Sequence, residues 1–270
     1  MSIQPSRLYI SSYYRRNTDS ASNFTVTLPS QVNNPKQLAV ISAVIPYLCY
    51  NFGETESIFY FMTTQSGATV KQVTVNTQKV YNSATEFQTD FNALLAAAQP
   101  GVSCSINTND GRVTIGNSGG NISIVGIANR ETNWNSTYYN NIANRLGFYN
   151  APGAPTTPST SSVTSSGSFQ LIRTSAFFLS MDCISGDSYT SNSAEQCVSN
   201  IMFMLPVQDA TFGALNYYQV QDFEMTRASE LPYSIYTVNV RVLDDKYDEI
   251  TDMLPSASIQ LELALKYEKE

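Results

Sequence analysis

The chain has 270 residues, a formal net charge of −7, 14% charged residues and no histidine. Without histidine there can be no Ser-His-Asp triad, Cys-His pair, HExxH zinc site or histidine pH switch. The acidic balance also argues against a general nucleic-acid-binding surface. With 42% hydrophobic residues, 17 Tyr and 13 Phe, the chain can bury a core large enough for one big β domain or two smaller units. A charged fraction below the roughly 25% usual for soluble domains fits outer faces that meet other proteins. Cys49, Cys104, Cys183 and Cys197 are spaced for neither a zinc ribbon nor a CxxC pair. The opening MSIQPSRLYISSYYRR lacks the apolar core of a signal peptide, and no apolar run is long enough to span a bilayer. Folding in a reducing cytosol with free thiols is the expectation.

Residues 1–22 are polar, with aromatic and basic side chains interspersed, and read as an N-terminal arm. Arg7, Tyr9, Tyr13, Tyr14, Arg15 and Arg16 are its candidate inter-subunit contacts. Three strands follow: Phe24 to Leu28, alternating and stopped by Pro29; Leu38 to Ile45, nearly all apolar and closed by Pro46; and Ile58 to Met62. The character changes over residues 66–150, which read as an α+β unit. Val70 to Val80 alternates as a strand. Ser83-Ala84-Thr85-Glu86 is a capping box, and Phe87, Phe91, Leu94, Leu95 and Ala98 then recur at helical spacing up to Pro100-Gly101. Short strands at Val102 to Ile106 and Arg112 to Ile115 flank turn residues Asn107 to Gly111, and Ile122 to Val125 adds another. A second helix is expected over Ser136 to Leu146, with Gly147 at its C′ position.

Residues 151–167, rich in Pro, Ser and Thr, read as a linker. Five strand patterns come after it: Phe169 to Ile184, Val198 to Val207, Leu215 to Met225, Ser234 to Leu243 and Ile259 to Tyr267. Three strands before the α+β unit and five after it make eight, the number in a jelly roll. The expected fold is therefore mainly β: a single eight-stranded antiparallel jelly roll (residues 23–65 and 168–270) with an α+β insertion (66–150) between strands D and E.

Chemistry-bearing clusters are few. Asp244, Asp245, Asp248, Glu249 and Asp252 crowd the turn before the last strand, but their spacing is not an EF-hand loop and a solvated acidic turn is the expectation. Ser118-Gly119-Gly120 is too short to cradle phosphate. Tyr13-Tyr14-Arg15-Arg16 could stack on single-stranded nucleic acid, yet with so few basic residues around it, packing on protein is the better reading. Phe177, Phe178, Tyr217 and Tyr218 read as core and interface residues. No catalytic set, cofactor motif or metal ligand set emerges, so a structural, non-enzymatic protein is expected. Two alternatives are a carbohydrate-binding β-sandwich, using Tyr residues or Trp134 on the inserted unit, and a jelly-roll hydrolase using paired carboxylates.

Four landmarks occur in order. The first is S-x-F-T-V-x-L-P from Ser22, leading to A-V-I-P-Y and Tyr50-Asn51-Phe52. The second is the middle element, from the helix after Tyr81-Asn82-Ser83 to Asn144-Arg145-Leu146-Gly147-Phe148. The third is Ile201 to Val207 with Phe212-Gly213 and Tyr217-Tyr218, and the fourth is Ile235 to Leu243 with Asp244-Asp245 and a last strand. Together they resemble the penton or minor capsid proteins of double-stranded DNA viruses with jelly-roll capsids, including virophages and polinton-like viruses. The resemblance spans about residues 22–267. The turn Asp244 to Glu249 departs from it, lacking the Gly often found there. It implies a single jelly roll standing roughly perpendicular to the capsid surface, with the insertion outward and the arm inward or sideways. Five copies would close a ring at each icosahedral vertex. The implied partners are copies of itself in a homopentamer, major capsid protein capsomers and other minor or cement proteins. The implied location is the virion capsid, after assembly in the host cell cytoplasm.

Overall fold

The computed structural model describes residues 7–53, 56–67, 69–126, 138, 141–183, 189–190, 197–198, 201–220, 229–231, 234–245 and 249–267. The chain divides into two compact units, Met1–Cys49 with Thr174–Glu270, and Tyr50–Arg173. Strands are numbered along the chain: β1 to β3 and β10 to β17 belong to the first unit, β4 to β9 to the second.

The first unit is mainly β. One sheet has the order β1 (Arg7–Ser11), β17 (Gln260–Lys266), β3 (Gln37–Pro46), β14 (Leu215–Gln219), with β15 (Ser229–Glu230) pairing the start of β3. The other runs β13 (Ile201–Pro206), β10 (Ala176–Met181), β16 (Ile235–Leu243), β2 (Asn23–Val32). Two-residue strands β11 (Tyr189–Thr190) and β12 (Cys197–Val198) pair with each other. Every pairing within the two large sheets is antiparallel. Alternation explains the layering. Phe24, Val26 and Leu28 of β2 are buried while Thr25 and Thr27 are not; Val238, Val240 and Val242 of β16 and Leu261, Leu263 and Leu265 of β17 repeat the pattern. These side chains form one core with Leu38, Ile45, Phe177 and Leu179, in which the Tyr47 and Phe177 rings lie 6.0 Å apart.

Three strand assignments differ from the sequence reading; one is the run from Phe169, which is a strand only from Ala176, its first residues belonging to the second unit. Arg7–Ser11 is no arm: it is paired along β17, from Arg7 opposite Ala264 to Ser11 opposite Gln260. Its Leu8 and Ile10 alternate with Arg7 and Tyr9, and Ile10 enters the core. The run at Ile58, expected as the third jelly-roll strand, instead belongs to the second unit.

In that unit, β4 (Ile58–Thr63) lies between β5 (Lys71–Thr74) and β8 (Ile122–Val125). A second sheet has the order β6 (Val102–Ile106), β7 (Arg112–Asn117), β9 (Ser162–Ser168). Helix α1 spans Ala84–Ala98. Its cap forms as the sequence predicts at Ser83, whose Oγ accepts from the Glu86 N–H at 3.2 Å. The Glu86 carboxylate reaches one residue further back, to the Asn82 N–H at 3.0 Å, and that bond holds its carboxyl below the usual carboxylate range. Phe87, Phe91 and Leu95 face inward, and Phe87 stacks on Phe52, Phe91 and Phe169 with ring centroids 4.7–5.2 Å apart.

The expected helix over Ser136 to Leu146 lies partly outside the described residues. Its described part, 141–147, is a bridge residue and turns. One helical turn closes with Leu146 N–H on Ile142 C=O and ends in a Schellman cap: Phe148 N–H bonds Ala143 C=O and Gly147 N–H bonds Asn144 C=O. Gly147 has φ +81°, the left-handed conformation such a cap requires. The expected linker is likewise structured. Val163 and Thr164 sit in β9, and the residues before it run beside β8.

Arg145 is a buried cation. Its guanidinium donates to the carbonyls of Asn51 (3.0 Å), Gln170 (3.1 Å), Arg173 (3.1 Å) and Leu171 (3.4 Å), with Glu56 at 3.8 Å and the Phe52 ring beneath. A guanidinium spreads five donors over three nitrogens in a fixed plane and reaches four separated carbonyls, whereas an ammonium offers three donors from a single nitrogen. Arg145→Ala is expected to lower the unfolding free energy by about 3–5 kcal/mol in urea titration, with Arg145→Lys recovering less than half of it. Burial pushes the Cys104 and Cys183 thiols up to about 12. At pH 8 only about one such thiol in ten thousand is ionised. Variants keeping a single cysteine at either position should therefore react with a disulfide-type thiol reagent only after unfolding.

Candidate subunit-contact surface

Residues opposite one another in an antiparallel pair share a face of the sheet. Tyr9 opposes Glu262, Glu262 opposes Ser42, Ser42 opposes Gln219, and Val44 opposes Tyr217. The outer face of the β1-β17-β3-β14 sheet therefore carries Arg7, Tyr9, Glu262, Val44, Leu215 and Tyr217. Tyr9, Leu215 and Tyr217 are 69%, 64% and 61% exposed. Charge on this face is partly neutralised, because the Arg7 guanidinium and the Tyr9 hydroxyl both donate to Glu262 Oε1, at 2.6 and 2.9 Å. The hydrogen bond to Glu262 raises the Arg7 pKa further.

Leu215 and Tyr217 point outward because Asn216 points inward. Asn216 is fully buried; its Oδ1 accepts from the N–H groups of Gln208 (2.7 Å) and Asp209 (2.9 Å), and its Nδ2 donates to Asp209 C=O (3.0 Å). A strand has a period of two, so anchoring this amide inside sends both apolar neighbours to solvent. Tyr218, on the inner side, packs on Phe203 with ring centroids 4.5 Å apart.

The six expected contact residues are split up by the structure. Arg7 and Tyr9 lie on the sheet face. Tyr13 and Tyr14 project from a short 3-10 turn, Ser12–Tyr14, as an exposed edge-to-face pair with centroids 5.3 Å apart. The turn is held by buried Ser12, whose Oγ donates to Ala257 C=O and accepts from the Ile259 N–H. Arg15 is tied to the carbonyls of Ser12 (2.9 Å) and Pro255 (2.5 Å), while Arg16 is exposed. The sequence reading missed Leu215, Val44 and Glu262. Of its four strand aromatics, Phe177 is core, Phe178 half-buried, Tyr218 packed and Tyr217 exposed.

The outer face of the other sheet has different chemistry. Asn239 Nδ2 donates to Asn23 Oδ1 (3.1 Å) and Thr25 Oγ1 (3.2 Å), and Arg241 donates to Ser180 Oγ (3.1 Å). Exposed Met204 and Tyr236 and half-buried Phe178 also lie on this sheet, so both sheets show large apolar side chains to solvent and this one adds internally bonded amides and hydroxyls. In the acidic turn, Asp245 accepts from Ser175 N and Oγ, and Glu249 accepts from Asn23 Nδ2. Asp248 and Trp134 lie outside the described residues. Among the described residues no group of three His, Cys, Asp or Glu side chains is placed to hold a metal ion, and no helix is long and apolar enough to cross a membrane.

No protein-family model and no curated protein matches the sequence. The structure is similar to the crystal structure of the selenomethionine-labelled mavirus penton protein, with a TM-score of 0.51 and 12% sequence identity over 97% of this chain and 98% of that one. The likeness is one of fold: a mainly β, penton-like architecture built on a jelly-roll-like sandwich of antiparallel sheets.

Asn216→Ala strands two backbone N–H groups and should lower stability by about 1–3 kcal/mol. Tyr217→Ser, on the open face, should change the stability of the isolated subunit by no more than about 0.5 kcal/mol. Urea titrations of the two variants side by side check both values.

Proposed function

We propose that this chain is a structural virion protein: a penton or minor capsid subunit, five copies of which close the fivefold vertices of an icosahedral capsid. On this reading the sandwich is a single eight-stranded jelly roll. Strands B, C and D are β1, β2 and β3, strands E to I are β10, β13, β14, β16 and β17, and Tyr50–Arg173 is the insertion between D and E. The observation that carries the proposal is the near end-to-end likeness to a penton protein across both units. The strand orders support it, since they read B-I-D-G in one sheet and F-E-H-C in the other.

The function is geometric and involves no chemical step. A ring of identical subunits needs two different, mutually complementary patches whose repeated contact closes after a fixed number of copies. The face bearing Tyr9, Val44, Leu215 and Tyr217 is the patch we assign to a neighbouring copy, because exposed aromatic and aliphatic side chains on a weakly charged ground are what interface centres use. Tyr13 and Tyr14 extend that surface. Major capsid protein capsomers are the second class of partner, and the virion capsid is the location.

The purified protein is expected to run in native mass spectrometry at five times the 29.8 kDa subunit mass, alone or with the major capsid protein. Leu215→Asp with Tyr217→Asp should return it to the subunit mass without unfolding it. A protein that stays monomeric at tens of micromolar in both settings, and is absent from particles, contradicts the reading.

A further inference from the structure

The segment that reads as a linker encloses a cleft in the second unit. The open edge of β8 is met at two points: the Ile122 N–H donates to Thr160 C=O and the Gly126 N–H to Pro152 C=O, at 2.7 and 2.8 Å. Along β8 these anchors are four residues apart, about 13 Å of strand. Along the strap they are eight residues apart, up to about 28 Å of extended chain. The strap must bow away from β8, and a bond from Ser123 Oγ to Thr156 C=O at 2.7 Å pins it midway. The close approach at one anchor depends on Gly126, where a Cβ would stand against the Ala151 carbonyl.

The bow leaves a cleft of about 360 Å³, a volume in the range of small-molecule sites. Its floor is apolar: Ile122, Ile124 and Phe148 lie nearly buried at the bottom, and Ala151, Pro152 and Val163 present the more accessible apolar surface. Its rim carries Asn150, Thr157 and Ser159, and the Thr157 and Ser159 side chains make no hydrogen bond among the described residues. No lining residue is charged. An anionic ligand would lose its hydration there with no cation to replace it. A ligand with an apolar face and a ring of neutral hydroxyls would match floor and rim together. We propose that this cleft binds a neutral saccharide unit. The inference does not depend on capsid assembly.

The full-length protein, titrated with glucose, galactose and N-acetylglucosamine by saturation-transfer NMR and applied to an array of neutral and sialylated glycans, is expected to bind at least one neutral sugar with a Kd of about 1 mM or tighter. Ser159→Trp, which fills the cleft from an exposed rim position, should weaken that binding at least about tenfold. Its melting temperature and native mass, compared with the parent protein, should be unchanged. Three results would each overturn the proposal: no neutral sugar bound on the array or at about 50 mM in titration, binding confined to sialylated glycans, or neutral-sugar binding that the folded Ser159→Trp protein retains. If that variant does not fold, Thr157→Ala with Ser159→Ala takes its place under the same criterion.

Discussion

The fold depends on β17 pairing with both β1 and β3. This brings the last described strand between two of the first three, so the sheet cannot form until residues as far apart in sequence as Arg7 and Lys266 are brought together. Between β3 and β10 lies the whole of Tyr50–Arg173. Closing a flexible loop of that length carries an entropic penalty that grows with loop length, although slowly. Arg145 reduces the problem from within the second unit. One guanidinium holds the carbonyls of Asn51 at one end of the unit and of Gln170, Leu171 and Arg173 at the other. Once folded, that unit presents its two ends side by side, as a short loop would. The buried cation is tolerated because its fork donates to four backbone carbonyls and the Glu56 carboxylate lies 3.8 Å away.

Long alternating runs were legible in the sequence. β2, β16 and β17 carry their period-two pattern over enough residues to define both strand and face, β3 is marked as a strand by its nearly continuous apolar run, and Ser83 with Glu86 marks the start of α1 from local chemistry alone. What was hidden depends on partners distant in sequence. The five residues of β1 form a strand because the edge of β17 is there to receive them, and nothing local separates them from a polar terminus. The apolar run at Ile58 declares a strand but not which sheet it joins. Ser/Thr-rich residues 151–167 look like a linker because their order comes from backbone bonds to β7 and β8, which leave no mark in composition. The surface was less legible than the core. In β14, Leu215 and Tyr217 suggest inward-facing residues, and only the loop amides at Gln208 and Asp209 reveal that Asn216 holds the inside position. Trp134 and much of the expected second helix belong to stretches outside the described residues.

The two outer faces of the sandwich differ in how their polar groups are satisfied. The tyrosine-bearing face offers large rigid side chains that lose little conformational entropy when covered. The other sheet, which also exposes Met204 and Tyr236, satisfies its Asn239, Asn23, Thr25, Arg241 and Ser180 side chains among themselves.

The convergence of both ends of the second unit on one side chain also bears on diversification. A body whose termini meet at a point behaves as a cassette. It can be lengthened, resurfaced or exchanged for another with the same end spacing, while β3 and β10 keep their registers. A lineage carrying this architecture can vary that compact module while the paired strands of the first unit stay as they are.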